Sequence, residues 1–255
     1  MTEFLALQAQ TLNFTLGRPG QFQVSADGRQ VLFCRTQDGT SNLSALWAYD
    51  VERGTERLLH LPEAGQVSES AEDRVRRERQ RDRSRGVTRY RTDATGMLVA
   101  ASVEGRLTTV NVSSGEVRRF DTAGSVTAPR PAPAGGTIAY VSEGSLHIVD
   151  ADGGNDRVLM ASPGPDVSYG LPEHVAAESF ARQDGFWWAP DSSALLVARV
   201  DNSGLPFAYL ADPSAEREPP RRLRYPFAGG PNAEVTLHVV GLDGTATEVL
   251  SLIHI

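Results

Sequence analysis

The chain contains no lysine; its 25 basic residues are all arginine. This reflects a GC-rich coding genome more than a chemical requirement. There is one cysteine, Cys34, so no internal disulfide is possible. It ends the apolar run Val31-Leu32-Phe33-Cys34, and a reactive thiol needs an accessible, electropositive setting. Cys34 therefore reads as a small buried hydrophobe. No stretch approaches the ~18 apolar residues of a membrane span. The first twenty residues lack a basic start, a long apolar stretch and a small-residue cleavage site, so they are not a signal peptide. A cytoplasmic location is the expectation. No G-x-S-x-G elbow occurs anywhere in the 255 residues. Without that anchor, His60, His147, His174, His238 and His254 read as surface or blade-turn residues, and no catalytic residue is assigned. No grouping of His, Cys, Asp or Glu has metal-ligand spacing, so neither a metal nor a cofactor is expected.

Positive charge is also in short supply. The net charge is -7, and neutralising phosphates needs a basic surplus, which argues against a nucleic-acid partner. Hydrophobic residues are 40% of the chain and charged residues 22%, which supports a packed core and excludes global disorder.

What is present is a repeat. A polar turn precedes a short apolar strand, then a second strand, an Asp or Asn turn, and a third strand with arginine. Copies begin at Val24, Arg91, Arg130 and Phe186. The spacing is about 40 to 55 residues, that of propeller blades, except where an arginine-rich insertion lengthens it. Val31 and Phe33, Leu98 and Ala100, Ile138 and Tyr140, and Leu196 and Ala198 alternate with their neighbours, the period-2 signal of strands. Asp27-Gly28, Thr95-Gly96, Gly135-Gly136 and Asp191-Ser192 supply the tight turns that open them. Small sheets of this kind bury their faces by stacking around an axis. The expected fold is all-β, a partial β-propeller of about four to five blades; a β-sandwich is the competing arrangement.

Two segments interrupt the repeat. Glu69 to Arg91 holds nine arginines against five acids and reads as a mobile, solvated arm, with interdomain contact or carboxylate binding as the other reading. Interleaved acids and one aromatic, Tyr90, make it a poor nucleic-acid patch. Pro165 to Gly185 reads as helical near 172–183. Pro172 suits a first helical turn, and Val175, Ala176, Phe180 and Ala181 form an apolar stripe. A helix inserted in an all-β array sits where propellers carry function.

The run EHVAAESF from Glu173 to Phe180, followed by GFWWAPD from Gly185 to Asp191, resembles the glutamate-bearing helix and WW-x-P segment of dipeptidyl-peptidase IV propellers. RYPFAGGPNAEV, from Arg224 to Val235, resembles that family's RYP-x-AG-x-x-N-x-x-V stretch. EDRVRRER, from Glu72 to Arg79, is similar to the arginine-rich segment of bacterial members. The three occur in the right order. The resemblance implies the prolyl oligopeptidase group of serine peptidases, with an eight-bladed N-terminal propeller and a C-terminal α/β-hydrolase domain that carries Ser, Asp and His. It implies that the propeller gates entry and offers acidic groups to the substrate's amino terminus. The partners it implies are a peptide substrate, the chain's own hydrolase domain and, since members are often dimeric, a homodimer of the intact protein. No membrane partner is implied.

Family members place two adjacent glutamates before the WW segment; the matching positions here are Ala177 and Glu178. The resemblance thus makes Glu178 the residue that binds the substrate N-terminus; read from the helix alone it is an ordinary solvated glutamate. Ala177 puts strict dipeptide release in doubt. Glu173 is no substitute, since five residues on a helix separate it from Glu178 by about 140°. Trp187 and Trp188 read as packing on opposite strand faces, and Tyr225 and Asn232 as structural residues of a long hairpin. The domain reading is an N-terminal segment 1–20 and an incomplete propeller 21–249. Residues 250–255, LSLIHI, resemble a translated sequencing adapter and read as a non-native tail, with the propeller cut off before its hydrolase domain. A non-enzymatic WD40- or TolB-like binding propeller fits the repeats equally well, but needs neither Glu178 nor the RYP segment.

Overall fold

The computed structural model describes residues 2–63, 77, 83–211 and 219–249. The expected tail at 250–255 and most of the arginine-rich segment lie outside these described residues. The chain forms two compact units, Met1–Ser142 with Ile148–Arg157, and Glu143–His147 with Val158–Ile255.

The repeat is a succession of small antiparallel sheets. The first has the order β1 (Gly20–Val24), β2 (Gln30–Thr36), β3 (Leu43–Asp50), β4 (Thr55–His60). A short β5 (Arg85–Gly86) pairs parallel with the start of β3, before β4 begins to pair. The second runs β6 (Arg91–Thr92), β7 (Leu98–Val103), β8 (Arg106–Asn111), β9 (Val117–Phe120). The third runs β10 (Thr127–Pro131), β11 (Thr137–Ser142), β12 (Ser145–Asp150), β13 (Arg157–Met160). Each expected turn opens the strand that follows it, but that strand is the second of its sheet, not the first. Gly28, Gly96 and Gly135 have φ of +72°, +79° and +80°, and Ser192 takes the same left-handed place at +65°. Successive turns are tied to each other. The Ala26 N–H donates to Thr95 O at 3.0 Å and the Ala94 N–H to Pro133 O at 3.1 Å. Pro133 has no N–H with which to continue that ladder.

Alternation along the strands is real, but the middle strands are buried on both faces. In β8 the run Leu107-Thr108-Thr109-Val110 is buried throughout. The reason is stacking. Leu32, Cys34, Leu46, Ala48 and Leu59 of the first sheet share a core with Val99, Ala101, Val103 and Val110 of the second. Ala100 and Leu107, from the second sheet, share another with Ile138 and Tyr140 of the third. Each fully buried large side chain contributes about 1.5–3 kcal/mol. Cys34 is a core residue, as its sequence context indicated.

The structure corrects three readings. Residues 83–91 are not a solvated arm. Val87 and Tyr90 fill the first core, and the Tyr90 hydroxyl donates to Gln21 O at 2.7 Å. The apolar pair outweighs the surrounding arginines. His60 and His147 are buried strand residues, not surface or turn residues. A helix α1 (Thr2–Gln10), which the sequence reading missed, leaves Phe4, Leu5 and Leu7 exposed.

Burial, with the Arg119 charge second, holds the His60 imidazole below its ordinary 6.5, and its Nε2 has no hydrogen-bond partner among the described residues. A histidine kept neutral in the fold contributes stability that is fully present above pH ~6.5. That stability is lost as the pH falls from there toward the depressed folded value, because the unfolded chain takes the proton first. Urea midpoints of the wild type should therefore fall between pH 7 and 5 more steeply than those of His60→Gln. Parallel pH dependences would show that another group controls acid sensitivity.

Candidate functional site

The fourth sheet, within the second unit, carries the candidate residues. Its order is β14 (Val167–Tyr169), β16 (Ala194–Asp201), β19 (Glu234–Gly241), β20 (Ala246–Val249). A further strand, β15 (Phe186–Trp188), also pairs with β16. Strands β14 and β15 are two halves of one edge: Tyr169 lies opposite Arg199 and Phe186 opposite Val197. Ala198 falls between, and its backbone serves both halves. Gly170 N–H donates to Ala198 O at 2.9 Å, and Ala198 N–H donates to Gly185 O at 2.8 Å. The ladder is thus unbroken although residues 171–184 leave it and return.

The neck of this excursion favours glycine at both positions. Gly170 has φ +81° and bridges directly to Gly185. A Cβ on Gly185 would lie 2.4 Å from the carbonyl carbons of both Gly170 and Leu171.

The excursion carries α2 (His174–Ser179), shorter than the expected 172–183. Ala181, in a left-handed conformation at φ +51°, prevents continuation. Glu173 is the N-cap, its carboxylate accepting from the Val175 and Ala176 N–H groups at 2.5 Å each. Pro172 therefore precedes the cap instead of lying in the first turn. The buried residues are Ala176 and Ala177, while Phe180, expected on the apolar stripe, is 77% exposed just past the helix. The far end is closed by Arg182 N–H to Ala176 O at 3.0 Å and Gln183 Nε2 to Ala177 O at 3.1 Å. The Arg182 guanidinium lies 6.0 Å from the Trp187 ring centroid. Trp187 and Trp188 are half-buried.

Glu178 stands exposed on the last turn of α2. Its neighbour Ala177 points inward, so the helix presents one carboxylate where two were expected of the family. Glu173 is unavailable for a different reason than angular separation: its carboxylate is spent on the cap.

A hairpin inserted between β16 and β19, with β17 (Phe207–Leu210) and β18 (Arg221–Arg224), supplies a second support. Arg224 donates to both Asp166 carboxylate oxygens, at 3.0 and 2.7 Å, and to Leu205 O at 2.7 Å. The hydrogen bonds from Arg224 hold the Asp166 carboxyl below its ordinary value. Arg222 and Arg224 each lie 3.9 Å from the Phe207 ring centroid. Tyr225 follows directly. Its N–H donates to Pro206 O at 3.0 Å. Its ring meets His174 edge-on at 4.8 Å and Phe227 at 5.1 Å. The sequence marked Tyr225 only as a hairpin residue and gave no signal of its contact with the helix. Asn232 is exposed.

Among the described residues no group of His, Cys, Asp and Glu is placed to hold a metal ion, and no helix is long and apolar enough to cross a membrane.

Comparison with known proteins agrees with this architecture. Residues 84–254 match the family described as the dipeptidyl peptidase IV N-terminal region. Dipeptidyl-aminopeptidase B of Aspergillus niger is 28% identical over 124 residues, 44% of this chain and 14% of that protein. Dipeptidyl peptidase 4 of Trichophyton rubrum is 28% identical over 131 residues, 48% of this chain and 16% of that protein. The chain thus matches only a small part of these relatives' length. The crystal structure of Porphyromonas gingivalis dipeptidyl peptidase 4 superimposes with a TM-score of 0.72 at 18% identity, over 97% of this chain and 35% of that one. The fold is accordingly an all-β partial propeller.

Proposed function

The chain belongs to the dipeptidyl peptidase IV N-terminal region family, and from that premise we propose that it is the propeller part of a cytoplasmic serine peptidase that removes short units from peptide amino termini. Its role is to gate access and to hold the substrate's α-ammonium on Glu178. The cutting step is acyl transfer through a serine, with His and Asp as its partners, and belongs to a hydrolase domain outside these residues. That chemistry needs no cofactor. The partners are the peptide, the hydrolase domain and a second copy of the intact protein; an acidic chain has no use for nucleic acid.

One observation carries the reading. An exposed carboxylate is held out from a sheet edge by a capped helix whose neck is fixed by two glycines. In a partly dry cavity closed by the rest of the protein, a charge-assisted hydrogen bond from a peptide ammonium to one carboxylate is worth about 1.5–3 kcal/mol. With Ala177 in place of a second acid, the ammonium is held by one contact and its orientation is less restricted. Such a site tolerates more variation in the length of the released unit.

The test has two parts. The intact gene should continue into a domain with a G-x-S-x-G elbow, and its product should cleave an amino-terminal dipeptide reporter. The 255-residue chain alone should not. A stop codon shortly after the last blade would favour the binding-propeller alternative, and cleavage by the pure chain would overturn the assignment of the chemistry elsewhere.

A further inference from the structure

We propose that Tyr225 is a positioning residue for Glu178, bracing α2 from the inserted hairpin through His174. The proposal rests on the reading of Glu178 as the amine anchor. A helix of six residues cannot hold its own shape, since isolated helices below ~12–15 residues are marginal in water. The Gly170/Gly185 neck fixes where the excursion leaves and returns but not by itself the direction in which α2 points, and the buried Ala176 and Ala177 seat only one face of the helix. The Glu173 cap acts within the helix and fixes no direction either.

Tyr225 supplies an external reference on the side of the helix that carries His174. It is held by its own N–H on Pro206 O, by Phe227 against its ring, and by the preceding Arg224 on Asp166 and Leu205. Its ring then meets His174, the first residue of α2. His174 and Glu178 are four residues apart, so they share one face of the helix, a turn apart. The brace therefore bears on the face that presents the carboxylate. The guanidinium–carboxylate pair makes it rigid, because a bidentate contact fixes orientation as well as distance.

Hydrogen exchange of the 255-residue chain, at concentrations below its self-association, tests this directly. Tyr225→Ala should speed exchange of the Val175, Ala176 and Ala177 amides about tenfold, the scale set by losing one edge-on aromatic contact. The first three sheets should stay protected, which controls for unfolding. Tyr225→Phe keeps the ring edge and should stay within about twofold of wild type. His174→Ala, which removes the other partner, should repeat the Tyr225→Ala pattern. Titration with trialanine and its N-acetyl form, followed by amide shifts at Glu178 and Phe180, should show weaker binding of the free peptide in Tyr225→Ala and wild-type binding in Tyr225→Phe. Unchanged α2 exchange in Tyr225→Ala, or a Tyr225→Phe variant that behaves like it, overturns the proposal. Glu178→Gln should abolish the preference for the free over the acetylated peptide without altering exchange. If that preference survives while Tyr225→Ala still frees the helix, the amine reading falls and the brace stands.

Discussion

Replacing Gly185 by alanine should lower the melting temperature by several degrees, although it adds one methyl group to a position that is not left-handed. The added Cβ would sit 2.4 Å from main-chain carbon atoms of Gly170 and Leu171, and backbone cannot turn aside as a side-chain tip can. Either the Gly170–Gly185 bridge opens or β15 shifts along β16. Overpacking of this kind costs about 1–3 kcal/mol, and a chain of this size loses roughly 2–4 °C per kcal/mol. Trp187 and Trp188 follow Gly185 in β15, so their fluorescence should change as the neck opens. Gly164→Ala is the control, because a Cβ there meets nothing within 4 Å; it should stay within about 0.5 kcal/mol. Equal melting of the two variants would show that the neck is not the constraint it is taken to be.

The chain should also self-associate. In the fourth sheet Val235, Leu237 and Val239 alternate along β19 and share one face with Val249 of β20, which pairs with Leu237. These four are 40%, 37%, 45% and 38% exposed, whereas Ala198 and Val200 on the same face of β16 are buried. Among the described residues β20 is the outermost strand of its sheet, and it is exposed along its length. An apolar sheet face beside an open strand edge is a template for pairing with another chain. Sedimentation at rising concentration should show growing assemblies. Leu237→Lys with Val239→Lys should shift the distribution toward monomer, because two charges on that face disfavour its burial. A wild-type chain that stays monomeric at every concentration and melts cooperatively would contradict this.

Much of the fold was legible because its signals are local. Asp-Gly and Gly-Gly turns carry their left-handed geometry in their composition, and the strands they open, with Phe33, Ala100, Tyr140 and Ala198, follow by alternation. The burial of Thr108 and Thr109 was not legible. Hydroxyl residues read as a solvated face until a neighbouring sheet is known to cover it. The length of α2 was misjudged because Phe180 and Ala181 have the right spacing, while the left-handed turn at Ala181 that ends the helix carries no glycine signal. The exposed helix α1 gives little pattern, since its apolar residues Phe4, Leu5 and Leu7 stay largely exposed. At the site, Glu178 was named only by resemblance to a family; its exposure on the last turn of α2 fits an ordinary solvated glutamate equally well. The Gly170–Gly185 neck and the Tyr225–His174 contact join residues far apart in the chain. They depend on how the excursion and the hairpin fold back, which no local pattern encodes.

The carboxylate on the last turn of α2 is proposed to hold the substrate's amino terminus. Kinetics of the intact protein with Glu178→Gln provide the test, using a peptide with a free amino terminus and the same peptide acetylated. The kcat/KM for the free peptide should fall roughly 10- to 150-fold, the equivalent of one charge-assisted hydrogen bond, while the acetylated peptide is unaffected. A variant that keeps the wild-type preference for the free amine would contradict it.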